Sequence, residues 1–175
     1  MTGHNEKGFT LIELLIVVAI ISIIAAIAVP GLLRARMTGN ETSAIASLKV
    51  TTSSQVAYSA SCGNGGYAQT YIILGTPVVA NSEPFISADL GSVAAPQKAG
   101  YNFTMGAGAG NAVGPNDCMP TPNPTNSTYY ATGIPQTFGS TGTRSFAVNA
   151  GNTIWQVNVA TAPAEPFGAP ATPIQ

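Results

Sequence analysis

The sequence predicts an α+β fold in which one long N-terminal helix packs on a C-terminal antiparallel β-sheet. The first observation behind this prediction is an almost unbroken apolar run from Phe9 to Val29, followed by helical spacing as far as Cys62. The second is that the later chain consists of short β-type segments separated by Gly, Pro and Asn. A sheet that packs on the second half of the helix would bury one face of each element.

The composition narrows the class of protein. Charged residues make up 7% of the 175 residues and the net charge is −1, whereas a usual soluble domain has about 25% charged residues. No basic face favours nucleic acid as a main partner, and such binding would rest on Arg34, Arg36 and a few lysines. The abundance of Gly, Pro, Ser and Thr suits a loop-rich extracellular domain, and we expect the last dozen residues to form a flexible tail.

The apolar run has the length of a membrane span. As a helix rising about 1.5 Å per residue, Phe9–Val29 is roughly 31 Å long, which matches the ~30 Å hydrocarbon core of a bilayer. Glu13 interrupts it, and a charge at the centre of a spanning helix costs about 2.5–3.5 kcal/mol, less towards its ends. Glu13 is therefore a candidate functional residue that needs a partner.

Pro30 and Gly31 follow the apolar run directly. Proline removes one helical hydrogen bond and glycine weakens the same point. We therefore expect a helix kink or local melting at about residues 29–32, with a static kink of no mechanical role as the alternative.

Beyond this point the spacing predicts that the helix resumes in amphipathic form and ends near Cys62, where Gly63 provides a stop. Its total length would be about 80 Å. The positions expected to face the sheet are Leu33, Met37, Ala44, Ile45, Leu48, Thr52, Val56 and Ser59. Those available for the solvent side are Arg34, Arg36, Glu41, Lys49 and Gln55.

The β-type segments lie in the second half of the chain. Asn149–Asn152 separates the last two of them and predicts a hairpin loop. Tyr67–Leu74 is a short apolar piece that fits either a strand or a helical turn. The four predicted strands are Tyr101–Met105, Ser127–Thr132, Arg144–Val148 and Thr153–Val159.

The N-terminus also carries a motif. Residues 7–14, KGFTLIEL, combine a polar leader that ends in Gly8 with Phe9 and Glu13, and Pro30 follows the apolar run. This pattern resembles the class III, N-methylphenylalanine prepilin N-terminus of the type IV pilin and type II secretion pseudopilin family. The resemblance covers roughly the first third of the chain and implies the pilin fold, in which a long helix packs on a sheet-bearing head.

The resemblance implies how the precursor is processed and divided. Residues 1–8 would be a leader peptide, cleaved between Gly8 and Phe9 by a membrane aspartic prepilin peptidase that also methylates the new Phe9 amine. Residues 9–33 would form the transmembrane and polymerisation segment. Residues 34–175 would form the periplasmic or extracellular head, which includes the second half of the helix. The alternative is a plain membrane anchor that retains Met1.

Charge does not settle the orientation, because Lys7 lies on one side of the apolar run and Arg34 and Arg36 lie on the other. The resemblance implies a cytoplasmic leader and a head outside. The monomer would then be a single-pass inner-membrane protein, and the assembled chain would lie in an extracellular pilus or, for a pseudopilin, in a periplasmic filament.

If the precursor is cleaved after Gly8, Glu13 has a candidate partner. Cleavage after Gly8 would leave a cationic amine on Phe9 in an apolar environment, where charges are tolerated when they are paired. The family resemblance implies that the Glu13 carboxylate pairs with the Phe9 amine of a neighbouring subunit during assembly. Neutralisation within one chain and a protonated Glu13 in lipid remain the alternatives.

The two cysteines, Cys62 and Cys118, suggest one disulfide, because an even count is typical of an exported domain. Two buried thiols are the alternative. Closing a loop of roughly 57 residues would be worth about 4 kcal/mol in the chain-entropy model.

No metal, cofactor or catalytic site is expected. The mature chain would lack histidine, so a serine or cysteine nucleophile would lack its usual base, and no paired carboxylates are evident. Three sequons begin at Asn40, Asn102 and Asn126, of which Asn126 lies in the most accessible predicted loop, with chance occurrence as the alternative. The acidic residues expected to form no cluster are Glu41, Glu83, Asp89, Asp117 and Glu165.

These inferences favour a structural subunit of a type IV pilus that polymerises through its apolar helix and serves adhesion, motility or DNA uptake. The alternatives are a type II secretion pseudopilin, which drives protein export, and a membrane-anchored binding or enzymatic domain. Expected partners are further copies of the chain, the prepilin peptidase, an inner-membrane assembly platform, minor pilins and the membrane around the monomer. Nucleic acid would be a partner only through DNA uptake.

Overall fold

The computed structural model describes residues 8–80 and 82–174, so the expected leader lies outside the described residues except for Gly8. The chain divides into two units between Arg36 and Met37. A long N-terminal helix and a C-terminal antiparallel sheet confirm the predicted α+β class. The helices are α1 (Leu11–Ser61), α2 (Tyr71–Gly75) and α3 (Ala88–Gly91), and the strands are β1 (Gln97–Lys98), β2 (Tyr101–Ala107), β3 (Val113–Asn116), β4 (Pro124–Asn126), β5 (Tyr129–Pro135), β6 (Ser145–Asn149), β7 (Trp155–Val157) and β8 (Thr172–Pro173).

The first unit contains the apolar part of α1. Helical structure is unbroken through Pro30 and Gly31, so residues 29–32 have not melted in this chain. The missing proline N–H leaves the carbonyl of Ala26 without its usual helical partner. A kink, or melting on assembly, stays a prediction.

In the second unit, α1 buries a face that is richer in polar groups than the sequence pattern indicated. The prediction that Glu41 and Gln55 face solvent is wrong, because both are buried, and Val56, expected to face the sheet, is 46% exposed. The apolar pattern missed these positions because each polar side chain finds a distant partner that hydrophobic spacing cannot reveal. The buried positions of α1 are Glu41, Ala44, Ser47, Leu48, Thr51, Ser54, Gln55 and Tyr58.

Gln55 illustrates how this polar face is satisfied. Its side-chain amide donates to the carbonyl of Ala68 at 2.9 Å, and its side-chain carbonyl accepts from the amide of Ala68 at 2.9 Å. A buried peptide unit outside regular structure needs such partners. The segment after α1 is thereby fixed to the helix that precedes it.

The main sheet has the strand order β1-β2-β5-β6-β7-β8, and all of its neighbouring strands are antiparallel. A separate pair is formed by β3 and β4. The four predicted strands correspond to β2, β5, β6 and β7, with β2 extended to Ala107 and β5 shifted to start at Tyr129. The sequence analysis did not predict β1, β3, β4 or β8, which have two to four residues each and depend on pairing with distant segments.

The structure shows the conformation of two short segments, the loop between β6 and β7 and the Tyr67–Leu74 piece. The loop between β6 and β7 is a hairpin turn, as expected, in which the Asn152 amide donates to the Asn149 carbonyl at 2.9 Å. Asn152 has a φ of 61°, a left-handed conformation that asparagine tolerates well. The Tyr67–Leu74 piece contains the helical turn α2, whose N-cap Thr70 accepts a hydrogen bond from the Ile73 amide.

The core lies between the second half of α1 and the sheet. Gly133 in β5 permits this packing, since a Cβ there would lie 3.1 Å from the Phe103 ring and 3.7 Å from Leu48. Six buried aromatic rings dominate the core volume, so its stability rests on large contact areas. They are Tyr58, Tyr71, Tyr101, Tyr129, Phe103 and Phe146.

The expectation of a flexible tail is wrong. Strand β8 pairs with β7, and the Ile174 amide donates to the Ile154 carbonyl at 2.8 Å. Phe167 stacks on Trp155 with ring centroids 5.4 Å apart, and Ala171 is buried. Segments rich in Pro, Ala and Gly are often disordered. Here the C-terminal segment that contains Phe167, Ala171 and β8 packs on the edge of the sheet, and we call it the C-terminal strap.

Candidate functional site

The apolar segment of α1 is uncovered. Every residue from 8 to 36 is exposed, and the Phe9 side chain is 88% exposed. The helix is long and apolar enough to cross a membrane. Soluble monomers rarely expose apolar patches above a few hundred Å². This segment therefore requires lipid or other apolar helices around it.

The first turn of α1 is closed by a reciprocal pair of side chains. The Thr10 amide and hydroxyl donate to Glu13 Oε2 at 2.9 and 2.7 Å, and the Glu13 amide donates to Thr10 Oγ1 at 3.3 Å. This is a capping box, in which two otherwise unpaired amides of a helix start are satisfied. The sequence analysis did not identify it, although the Thr-x-x-Glu spacing before an apolar run is its signature.

The capping box leaves part of the Glu13 carboxylate unused. Both hydrogen bonds from Thr10 go to Oε2, and within the described chain Oε1 accepts none. Glu13 is exposed, four residues after Phe9. One carboxylate oxygen at the start of the helix is thus available to a donor from outside the chain. In the uncleaved chain the Phe9 nitrogen is a peptide nitrogen, because Gly8 precedes it.

The other polar interruption of the segment is internally satisfied. The Ser22 hydroxyl donates to the Val18 carbonyl at 2.8 Å, one turn earlier in the helix. Such back-bonding lets serine sit in an apolar environment without an unpaired proton donor. Of these two residues, Glu13 is the one with a side-chain oxygen, Oε1, that accepts no hydrogen bond within the described chain.

The head carries the predicted disulfide. Cys62 and Cys118 are bonded, with Cα atoms 4.9 Å apart, and the Cys118 amide donates to the Cys62 carbonyl at 3.0 Å. This joins the end of α1 to the loop after β3. The expectation of one disulfide is confirmed, and the alternative of two thiols is wrong.

A buried carboxylate supports the same junction. Asp117 accepts hydrogen bonds from the Tyr58 hydroxyl at 2.6 Å and from the Asn123 amide at 2.8 Å. Burial raises the pKa of Asp117, but the hydrogen bonds from Tyr58, Asn123 and the Met119 amide outweigh it, so its pKa lies below the ordinary value. Both oxygens of Asp117 are engaged, which leaves it poorly suited to a metal ligand role.

The asparagines of two sequons, Asn126 and Asn40, are engaged in hydrogen bonds within the head. Asn126, expected in an accessible loop, is buried in β4, and its Oδ1 accepts from Asn111 at 3.1 Å. The Asn40 amide group donates to the Thr141 carbonyl at 2.9 Å. The expectation that Asn126 lies in an accessible loop is wrong, because Asn126 is buried in a strand.

In the part of the chain that the structure describes, the acidic and cysteine residues do not gather into a metal site. Among the described residues, no group of three or more His, Cys, Asp or Glu side chains could hold a metal ion.

Comparison with known proteins adds to this geometry. Residues 3–29 match the prokaryotic N-terminal methylation motif. The chain is 64% identical over 39 residues to the type IV wide pilus major component PilA4 of Thermus thermophilus. This alignment covers 22% of the chain and 30% of that relative, so it spans less than a third of the relative's length. No solved structure matches the chain significantly.

The methylation motif and the identity to a type IV pilus component support the type IV pilin family, to which residues 7–14 pointed. A long helix that continues into a head with an antiparallel sheet is the architecture that this resemblance implied.

Proposed function

We propose that this protein is the structural subunit of a type IV pilus, which polymerises through residues 9–33 into a surface filament. The observation that carries the proposal is the fully exposed apolar helix with one carboxylate oxygen of Glu13 left open at its start. A helix of this kind is stable in the membrane as a monomer, and in a filament the same surface would be buried by neighbouring helices. The protein has a structural role and no catalytic one.

Cleavage between Gly8 and Phe9 prepares the subunit for assembly. A Cβ at Gly8 would meet nothing within 4 Å, so packing in the folded chain does not demand glycine there. The requirement for glycine at this position comes instead from recognition by the prepilin peptidase. The same enzyme methylates the Phe9 amine, which keeps its positive charge.

The charge on Phe9 then pairs with Glu13 of a neighbouring subunit. The amine is buried among apolar helices, where an unpaired charge is costly and a paired, hydrogen-bonded charge is tolerated. Oε2 of Glu13 stays in the capping box with Thr10, and Oε1 accepts from the amine of the incoming chain. Pairing therefore guides each subunit into register without undoing the start of its own helix.

Pro30 and Gly31 give the filament its compliance. No atom lies within 4 Å of a Cβ built at Gly31, so glycine there is not required by contacts in the monomer. Proline and glycine in sequence lower the cost of opening the helix at residues 29–32. The segment melts or kinks when neighbouring subunits pack, and it permits extension under load.

The filament is assembled by an inner-membrane platform, with minor pilins, and is used for adhesion, motility or DNA uptake. Before assembly the subunit spans the inner membrane once with its N-terminus in the cytoplasm. Afterwards it lies on the cell surface.

The decisive variants are Glu13→Gln and Glu13→Ala. Glutamine keeps the capping box, since it can replace glutamate at this position, but it removes the charge. Both variants are expected to accumulate in the membrane and to yield no sheared filaments. Thr10→Ala is the control: it weakens the helix start by about 1 kcal/mol and leaves the charge pair intact, so filaments are retained. Normal filaments from Glu13→Gln would contradict the pairing.

Mass spectrometry of sheared filaments tests the function itself. The expected result is an abundant chain that begins at N-methylated Phe9. A chain that begins at Phe9 but stays in the envelope fraction would indicate a type II secretion pseudopilin. A chain that retains Met1 would indicate a plain membrane anchor and would contradict the proposal.

A further inference from the structure

An open hollow lies on the head between α1 and the β6–β7 turn. Its volume is about 410 Å³, and its walls include Lys49, Thr52 and Ser53 from the helix and Asn152 and Thr153 from the turn. Lys49 also lines a second hollow of about 400 Å³, together with Phe85. The Lys49 side chain is exposed and borders both hollows.

The first hollow presents unused donors. The hydroxyls of Thr52 and Ser53 already donate to helix carbonyls, at 3.1 Å each. Among the described residues, Lys49 has no carboxylate within 4 Å, and the side chains of Asn152 and Thr153 make no hydrogen bond. An ammonium, an amide and a hydroxyl thus line the same hollow, and these are donors that can bind a carboxylate.

The head offers one matching acid. Glu83 lies in the exposed loop between α2 and α3, and in the described part of the head it makes no hydrogen bond or ion pair. Pro84 follows it and favours extended backbone at Glu83, which holds the residue away from helical structure. Each other acidic residue of the described head has a partner within the chain: Glu41 with Arg144, Asp89 with Lys98, Asp117 with Tyr58, and Glu165 with Asn149.

We infer that Glu83 of one subunit enters the hollow beside Lys49 of the next subunit, an inference that rests on the proposed filament. A chain with so few charges has little other means of fixing the register of its head by electrostatics. The contact is heterologous, because the two residues belong to different patches, and such contacts propagate into helical filaments. In a partly enclosed hollow the attraction is stronger than between fully exposed charges.

Zero-length coupling of wild-type sheared filaments with a water-soluble carbodiimide tests this contact. The reagent activates the Glu83 carboxylate, and attack by the Lys49 amine forms an amide, while the reagent takes up the oxygen and becomes a urea. The expected product is a ladder of covalent dimers and higher multimers on a denaturing gel. Peptide mass spectrometry should show Lys49 joined to Glu83 in the dimer band.

Three results would overturn the inference: a Lys49–Glu83 link confined to the monomer band, a ladder joined through other residues, or no coupled product. Absence of any wild-type filament would instead contradict the proposed function and the interface with it. Wild-type filaments without the link contradict the interface alone.

Charge reversal provides a second measurement. Lys49→Glu and Glu83→Lys should each lower the yield of sheared filaments several-fold, and the double variant, which restores opposite charges, should recover most of it. Lys98→Glu is the matched control, because Lys98 pairs with Asp89 within its own chain at 2.5 Å. Single variants with wild-type yield, or a double variant no better than the singles, would contradict the contact.

Discussion

The carboxylate of Glu41 on α1 and the guanidinium of Arg144, 103 residues later at the start of β6, form a hydrogen-bonded ion pair. Nε and Nη2 of Arg144 each lie 2.8 Å from Oε2 of Glu41. The other oxygen, Oε1, accepts from the Thr143 amide at 2.8 Å and its hydroxyl at 3.0 Å. The Glu41 side chain is 6% exposed, so its charge depends on these four donors. The pair fixes the helix of the head to the edge where β6 begins.

Replacing Glu41 by Gln should therefore destabilise the head. The change leaves the Arg144 charge without its partner, although the Arg144 side chain is 32% exposed and keeps some hydration. We expect a loss of about 3 kcal/mol, at the low end of the range for breaking a buried pair. Urea unfolding of the full chain in detergent micelles, followed by circular dichroism at neutral pH, measures it.

The exposed pair Asp89–Lys98 supplies the control for this measurement. Asp89→Asn should change the free energy of unfolding by less than about 1 kcal/mol, since exposed pairs contribute little. Equal losses from Glu41→Gln and Asp89→Asn would show that burial does not set the strength of the Glu41 pair.

Tyr58→Phe tests the buried Asp117. Because the folded pKa of Asp117 lies below its unfolded value, its hydrogen bonds contribute stability that is present above about pH 3.9 and is lost as the pH falls through the folded pKa. Removing the Tyr58 hydroxyl should cost about 2 kcal/mol at neutral pH. The cost should shrink as the pH falls through the folded pKa of Asp117 and its carboxyl becomes protonated.

The measurement is the pH dependence of urea unfolding for both chains. Tyr71→Phe is a matched tyrosine variant, because the Tyr71 hydroxyl pairs with the neutral Thr51 at 3.2 Å. Its effect should not vary across the same acid range. A cost of Tyr58→Phe that is equally large in acid would contradict the charge-assisted bond.

Removal of the disulfide by a Cys62→Ser, Cys118→Ser double variant should lower the free energy of unfolding by about 4 kcal/mol in the chain-entropy model. The sequence separation of 56 residues sets this magnitude, since a long loop gains much freedom when released. Wild-type chain unfolded in the presence of a reducing agent should show the same loss. A reduced wild-type chain as stable as the oxidised one would exclude the loop-closure account.

Phe167→Ala should loosen the C-terminal strap. The ring stacks on Trp155 and lies 6.2 Å from the ring of Tyr130, and such pairs add about 1 kcal/mol beyond the area they bury. Trp155 is the sole tryptophan of the chain, so its fluorescence reports the strap directly. We expect a red shift and faster cleavage after residue 160 by a nonspecific protease. Emission identical to that of the wild-type chain would mean that solvent does not reach Trp155 when the ring is removed.

The sequence predicted most of what is periodic or local. The apolar run, the end of α1 near Cys62 and four strands follow from spacings that any short window contains. Of the assignments on α1 that failed, Glu41 and Gln55 concern polar residues whose partners lie outside the helix, at Arg144 and Ala68, and Val56 is exposed where the spacing predicted contact with the sheet. The capping box of Thr10 and Glu13 is also predictable from the sequence, because its Thr-x-x-Glu signature is local.

By itself the sequence determined the apolar helix, its charge at Glu13, the methylation motif and the class of fold, because a bilayer-length hydrophobic run and a short motif act through local chemistry. Only the tertiary structure decided that Glu41 is buried against Arg144, that Asn126 is buried, that the tail is ordered and that, within the described chain, Lys49 and Glu83 lack partners. These facts depend on which distant groups meet. A burial or pairing energy is a property of two segments together, and neither segment carries it alone.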